Sequence, residues 1–99
     1  MSTLHVLSHS PFADARLSSC LRLLGNTDAV LLCGDAVYAL TAATPARQAL
    51  DARAENLVLF VLDEDAKARN IALPGWAKGV DYPGFVALCL QYDKVNTWL

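Results

Sequence analysis

Charged residues are scarce in this chain of 99 residues, making up 18% of it where about 25% is usual in soluble domains. The eight Lys and Arg residues are scattered, and the formal net charge is −2. Binding to phosphates requires clustered basic residues, so this pattern argues against direct binding of nucleic acid. Hydrophobic residues reach 55%. This excess predicts either a well-filled core or a surface that a partner protein covers.

Long apolar runs are also missing. No uninterrupted run reaches the length of a membrane span, and the N-terminus lacks the charged start and apolar stretch of a signal peptide. These absences predict a cytoplasmic protein that does not associate with a membrane. The three cysteines, an odd number without paired spacing, are then expected to be reduced thiols. A chain of this length is expected to form one domain, residues 1–99.

The common motifs of small enzymes are absent. There is no Walker loop and no G-x-G-x-x-G, so nothing indicates a nucleotide site, and without a G-x-S-x-G elbow a hydrolase is not expected. The lack of C-x-x-C excludes a thioredoxin-type dithiol site in its usual form. With two histidines and cysteines far apart in sequence, a zinc site is not expected either. The sequence therefore predicts neither a metal nor a bound cofactor.

What the sequence does contain is a regular alternation of apolar and helical segments. The candidate strands are residues 3–7, 28–33, 57–62, 78–82 and 93–99. The candidate helices are residues 11–24, 35–40, 46–54, 63–69 and 83–92. Ser10 as N-cap and Pro11 as first helical residue predict the start of the first helix. The alternation predicts a single-domain, three-layer α/β/α fold with a mostly parallel sheet of about five strands.

Four residues with chemically active side chains have a simpler structural interpretation. Cys33 ends a buried strand and Cys89 lies on an apolar helical face, so both are expected to pack in the core. Asp35 follows a strand end, where open α/β sheets place their ligands, but its expected role is a helix cap. His9 precedes the first helix, and a surface loop histidine is the default interpretation, with anion binding as the alternative.

Cys20 is the candidate for chemistry. The apolar stripe of the first predicted helix is centred on Ala13, Leu17 and Leu24, which places Cys20 at the edge of the stripe, on the side of Arg16. Arg16 lies one turn earlier, and its guanidinium would favour a thiolate. A thiol at the border of the core beside a cation predicts a nucleophile or a persulfide carrier. The alternative is a partly buried cysteine with an accidental arginine neighbour.

Three motifs in one order resemble a known family. Residues 3–12 (TLHVLSHSPF), residues 31–40 (LLCGDAVYAL) and residues 81–86 (DYPGFV), with the tail VNTWL, resemble the TusB/DsrH proteins. The similarity spans essentially the whole chain and is least distinctive over residues 42–56. It implies a DsrE/F/H-like α/β fold.

The resemblance also implies an assembly and a function. It places the chain in a heterohexamer with two copies each of TusC/DsrF-like and TusD/DsrE-like subunits. In the Tus system this complex passes persulfide sulfur from a TusA-like to a TusE-like carrier, for 2-thiolation of the tRNA wobble uridine. The family's principal relay cysteine is on the TusD/DsrE-like subunit. Some DsrH-type members have a cysteine in the first helix, which Cys20 in SSCLR matches, while other members lack it.

Several functions remain open at the level of sequence. We favour tRNA thiolation over the related role in dissimilatory sulfur oxidation, because it is the more widespread use of the relay. A purely structural subunit without sulfur chemistry and an independent, flavodoxin-like ligand-binding module are the alternatives. Exposed Trp98 and Leu99 are candidate contact residues for partner subunits. Tyr82 and Phe85 are further candidates, which core packing explains equally well.

Overall fold

The computed structural model describes residues 2–98 as a parallel α/β structure. The strands are β1 (Thr3–Leu7), β2 (Ala29–Leu32), β3 (Leu59–Leu62), β4 (Lys78–Val80) and β5 (Lys94–Trp98). The α-helices are α1 (Arg16–Leu23), α2 (Pro45–Asp51), α3 (Asp63–Ala68) and α4 (Tyr82–Gln91), and a 3-10 helix spans Gly34–Leu40. Within the described residues, no helix has both the length and the apolar character needed to cross a membrane.

All strand pairs of the sheet are parallel, in the order β4-β3-β2-β1-β5. The register aligns Leu4 of β1 with Ala29 on one side and with Val95 on the other. The first three connections each lead to the next strand along the sheet, whereas the connection through α4 crosses from one edge strand to the other. The predicted α/β fold with a mostly parallel sheet of about five strands is confirmed.

The core has two parts, one on each face of the sheet. One face packs against α1, α2, α3 and the 3-10 helix, and we call this part the first core. The other face packs against α4 and forms the second core. The central strands β2 (AVLL) and β3 (LFVL) are apolar throughout because helices cover them on both faces. The structure is therefore the expected three-layer arrangement, with several helices on one face and a single helix on the other.

The first helix begins later than the sequence predicts. The hydroxyl of Ser10 accepts a hydrogen bond from the Phe12 amide at 3.2 Å, and its carbonyl accepts one from the Ala13 amide at 3.2 Å, so Ser10 closes a turn and not the helix. The carboxylate of Asp14 then accepts from the Arg16 amide at 2.9 Å, and α1 starts there. Ala13 consequently lies before the helix and is exposed.

Two other helices, α2 and α4, begin within one residue of the predicted position, each with a proline in its first turn. Thr44 caps α2 by accepting a hydrogen bond from the Arg47 amide at 3.3 Å, with Pro45 in the first turn. Asp81 caps α4 by accepting from the Gly84 amide at 2.8 Å. These caps satisfy backbone amides that have no partner inside the helix. The second cap fixes the direction in which α4 leaves β4 and crosses the sheet.

Candidate functional site

Cys20 lies inside the core, not at its edge. Its side chain is 0% exposed and packs between α1 and the sheet. The expected position at the border of the apolar stripe is wrong, because the buried face of α1 is formed by Leu17, Cys20 and Leu21. In this conformation no solvent or carrier protein reaches the thiol.

The surroundings of Cys20 also oppose ionisation. Burial raises the pKa of the Cys20 thiol from 9.0 to about 11, and the negative charge of Asp28 contributes to the same shift. At neutral pH only roughly one thiol in ten thousand is then ionised. Since the thiolate is the form that attacks sulfur, the folded chain holds Cys20 in its unreactive form.

Arg16 is held by a neighbouring carboxylate. Its Nη1 forms an ion pair with the carboxylate of Asp14, and its backbone amide donates to the same side chain. The amide hydrogen bond and the guanidinium together lower the pKa of Asp14. The effects that shift the pKa of Cys20 are burial and Asp28, both of which disfavour the thiolate that Arg16 was expected to stabilise. A sulfur-carrying role for Cys20 stays a prediction that this geometry does not support.

The pH dependence of folding tests the state of Cys20. Its pKa is about 11 in the folded chain, whereas the ordinary value of 9.0 applies to the unfolded chain, so the unfolded chain loses the thiol proton first as the pH rises. The contribution to stability is therefore complete below pH 9 and is lost between pH 9 and 11, to an extent of about 2 kcal/mol.

This loss should be absent from Cys20→Ala. We expect the free energy of unfolding, measured in urea, to fall less steeply between pH 9 and 11 for the variant than for the wild-type chain. All other ionisable groups are the same in both proteins, so only the difference between the two slopes reports on Cys20. Parallel slopes would contradict a buried, neutral thiol.

The other two cysteines lie at the border of the second core. Cys33 and Cys89 are half-buried and pack on the α4 side of the sheet. The thiol of Cys33 donates to the Leu7 carbonyl at 3.5 Å. Burial, assisted by the charge of Asp65, raises the pKa of Cys33. The expected packing role is confirmed for both, with more exposure than a central core position gives.

Polar residues meet at the carboxyl ends of β2 and β3, but Asp35 does not have the expected role of helix cap. The carboxylate of Asp65 accepts a hydrogen bond from the Gly34 amide at 2.6 Å and so serves the start of the 3-10 helix. Asp35 is not the cap, because its carboxylate accepts from Arg69 Nε at 3.2 Å and Nη2 at 2.9 Å. The Arg69 guanidinium also lies 5.8 Å from the centre of the Tyr38 ring.

Close packing fixes the backbone at the end of β2. Gly34 has a φ of +51°, a conformation that side chains disfavour. A Cβ at this position would lie 3.2 Å from the carbonyl oxygen of Ser8, in the loop after β1. His9 in the same loop is exposed, as expected for a surface histidine.

A buried hydrogen-bonded chain joins the last strand to the first two, and sequence reasoning missed it. Trp98 Nε1 donates to Nδ1 of the buried His5 at 3.1 Å, and His5 Nε2 lies 3.3 Å from the carboxylate of Asp28. Because an indole nitrogen only donates, His5 Nδ1 must carry a lone pair. The network therefore assigns the proton to Nε2, where it points to Asp28.

Asp28 is an anchor for several elements at once. It accepts hydrogen bonds from the Gly25 amide at 2.9 Å and the Thr3 amide at 3.0 Å, besides its contact with His5. These bonds, that of Gly25 above all, lower the pKa of Asp28. A permanent carboxylate at this position explains both the orientation of His5 and part of the raised pKa of Cys20.

Trp98 is partly buried and packs against the first core, so the expectation of an exposed Trp98 is wrong. Leu99, the other expected contact residue of the tail, lies outside the described residues. The ring packs because the hydrogen bond to His5 draws it over the sheet.

Replacing Trp98 by Phe isolates this hydrogen bond. The variant keeps an aromatic ring but leaves Nδ1 of a buried histidine without its donor, so we expect a loss of about 1–2 kcal/mol in the free energy of unfolding. Trp76→Phe is the matched control, because Trp76 is also half-buried against the first core. Equal losses in urea unfolding would show that ring size, and not the bond, accounts for the effect.

One apolar surface remains uncovered on α4. Tyr82, Val86 and Leu90 are 50%, 58% and 83% exposed, and their spacing of four residues places them on one face of the helix. The opposite face carries Leu88, buried, and Phe85, partly buried, against the sheet. Of the expected contact residues, Tyr82 is therefore exposed, while Phe85 belongs to the core. Val86 and Leu90 were not identified from the sequence.

The described residues offer no place for a metal ion. Between residues 2 and 98, no group of three or more His, Cys, Asp or Glu side chains is close enough to hold one. The three cysteines are free thiols.

Comparisons with known proteins agree with the geometry. Residues 9–95 match the family model described as "DsrH like protein". The Protein TusB of Yersinia enterocolitica is 33% identical over 98 residues, which cover 96% of this chain and 99% of the relative. The crystal structure of the ychN protein from E. coli superposes with a TM-score of 0.79 at 20% identity, covering 99% of this chain and 100% of that one. With the sheet, the helices and the sequence in agreement over nearly its whole length, the chain belongs to the DsrH family.

Proposed function

We propose that this chain is a subunit of a heterohexameric sulfur-relay complex, beside TusC/DsrF-like and TusD/DsrE-like subunits. Family membership over residues 9–95 supports the relay, and the outer face of α4 supports the assembly. The complex accepts persulfide sulfur from a TusA-like carrier and passes it to a TusE-like carrier. The end product is the 2-thiolated wobble uridine of tRNA, and the complex works in the cytoplasm, where its thiols stay reduced.

The observation that carries the proposal is the surface of α4. A helix that is apolar all round is normally buried on all sides, yet only one face of α4 packs against this chain. Tyr82, Val86 and Leu90 form a continuous exposed stripe along the other face. Aromatic and aliphatic residues of this kind form the centres of stable subunit interfaces. A neighbouring subunit that covers this stripe also accounts for the scarcity of charge in the sequence.

Within the complex, we assign this chain a supporting role. The alternative gives Cys20 an accessory persulfide site with Arg16 as stabiliser of its thiolate. The burial and raised pKa of Cys20, and the ion pair of Arg16 with Asp14, favour the supporting role. The sulfur-transferring thiolate then belongs to the TusD/DsrE-like subunit.

Deletion of the gene tests the function. We expect the 2-thiouridine content of tRNA, measured by mass spectrometry of nucleosides, to fall to background and to recover with the wild-type gene. Cys20→Ala should restore thiolation as well, because the variant keeps the surface of α4. Unchanged 2-thiouridine together with loss of the oxidation of stored sulfur would assign the chain to the dissimilatory DsrEFH-type pathway instead.

A further inference from the structure

A cavity of about 520 Å³ opens beside the 3-10 helix, away from the exposed stripe of α4. Its apolar walls include Phe12, Leu40 and Ile71, and its polar groups include Arg47 and Arg69. The volume lies within the range of small-molecule sites. Neither the family comparison nor the proposed relay gives this cavity a role.

Two guanidinium groups are held in fixed positions at the cavity. Arg47 donates through Nε to Asp51 at 3.0 Å and through Nη1 to the Leu40 carbonyl at 2.9 Å. Arg69 donates to Asp35 through Nε and Nη2, and to the Asp65 carbonyl through Nη1 at 3.2 Å. A guanidinium has five N–H groups. Among the described residues these bonds leave N–H groups of both arginines available to a ligand.

The charged side chains among the described residues that line the cavity are both cationic. No Asp or Glu is among the described residues that line it, and the carboxylates that pair with the arginines, Asp35 and Asp51, are exposed to solvent. The ion pairs hold the guanidinium groups in place, and solvent screens the charge of these exposed carboxylates. A guanidinium binds carboxylates and phosphates in matching planar geometry, and the mostly apolar walls of this cavity suit an organic carboxylate better than inorganic phosphate.

The cavity also has an aromatic wall and an unusual rim. Tyr38 lines it, with its ring 5.8 Å from the Arg69 guanidinium. Asn70 lines it with a φ of 55°, and Ala43, next to the lining residue Ala42, has a φ of 63°. Asn70 follows the end of α3, where its amide donates to the Lys67 carbonyl at 3.1 Å and the Ile71 amide donates to the Ala66 carbonyl at 2.9 Å, a common helix C-cap that often takes asparagine. The left-handed backbone of Ala43 is the less favourable one, because alanine has a Cβ.

We propose that this cavity binds a small organic carboxylate with a ring-sized apolar body. The carboxylate accepts hydrogen bonds from Arg47 and Arg69, and the apolar body lies between Tyr38, Leu40 and Ile71. The site is separate from the relay function and does not depend on it. Its ligand class follows from two oriented cations at the edge of an otherwise mostly apolar cavity.

Two probes of equal shape test the proposal. Phenylpropionate and its neutral analogue phenylpropionamide are titrated into the isotope-labelled full chain, and binding is followed by amide NMR shifts. We expect saturable shifts at the cavity residues, with the carboxylate binding about tenfold more tightly than the amide. Affinities in the millimolar range are expected for probes of this size.

Variants assign the effect to the site. Arg47→Gln should reduce the affinity for the carboxylate to that for the amide, while Arg53→Gln, at an exposed cation outside this cavity, should leave it unchanged. Ala72→Trp, which fills the cavity and keeps both cations, should abolish binding of both probes. Equal affinities for the two probes, no saturable shifts, or shifts that survive Ala72→Trp would overturn the proposal.

Discussion

Replacing Val86 and Leu90 together by Glu is expected to abolish the copurification of this chain with its TusC/DsrF-like and TusD/DsrE-like partners. Both side chains are exposed in the isolated chain, so the substitutions bury no charge there and the fold should persist. In the assembly they would place two carboxylates in an apolar interface without counterions. Each buried and unpaired charge costs several kcal/mol, so the affinity should fall by at least about 100-fold.

A matched control shows whether the effect is specific to the exposed stripe of α4 or follows from placing a charge at any exposed apolar residue. Leu23 is 70% exposed and lies on α1, on the other side of the sheet. Leu23→Glu should copurify as the wild-type chain does when all three chains are coexpressed and one partner carries the affinity tag. If the Val86→Glu, Leu90→Glu chain still copurifies with the tagged partner, α4 is not a subunit contact. If neither this variant nor Leu23→Glu copurifies, the effect is not specific to the exposed stripe of α4.

Cys20 is expected to react with a persulfide donor at least about 100-fold more slowly in the folded chain than in the chain unfolded by urea. A pKa of about 11 in place of 9.0 lowers the thiolate fraction by two orders of magnitude at neutral pH. The complete burial of the thiol adds a steric barrier. Peptide mass spectrometry after timed labelling gives the rate for each cysteine separately.

Cys33 and Cys89 are internal controls for this experiment, because both are half-buried and should react faster in the folded chain than Cys20 does. The same labelling rates are then measured in the complex with the two partner subunits, which is the proposed functional state of the chain. If Cys20 in the folded chain gains one sulfur at a rate similar to that of Cys33 and Cys89, the result would support an accessory persulfide site at Cys20 with Arg16 as stabiliser of its thiolate. Protection of Cys20 supports a purely structural role.

The sheet was predictable because its central strands are uniformly apolar. The segments assigned to β2 and β3 agree with the structure to within two residues at either end, since burial on both faces leaves no room for polar residues. The start of α1 was not predictable from its signals. Ser10 and Pro11 form a typical helix start, but Asp14 offers a second acceptor four residues later, and the Arg16 amide bonds to it.

The candidate site depended on contacts between distant residues, which local patterns do not report. His5 and Asp28 are separated by 23 positions and His5 and Trp98 by 93. Composition alone left two explanations for the excess of apolar residues, a full core or a covered surface. In the described structure β2 and β3 form a full core, and α4 in addition leaves Val86 and Leu90 exposed, which is the surface that the proposed partner would cover.

Native mass spectrometry of the three coexpressed chains tests the central claim most directly. We expect one complex that holds two copies each of this chain and of its TusC/DsrF-like and TusD/DsrE-like partners. The Val86→Glu, Leu90→Glu chain should be missing from that complex. A wild-type chain that appears only as a 10.7 kDa monomer, beside a complex of the two partners alone, would contradict the claim.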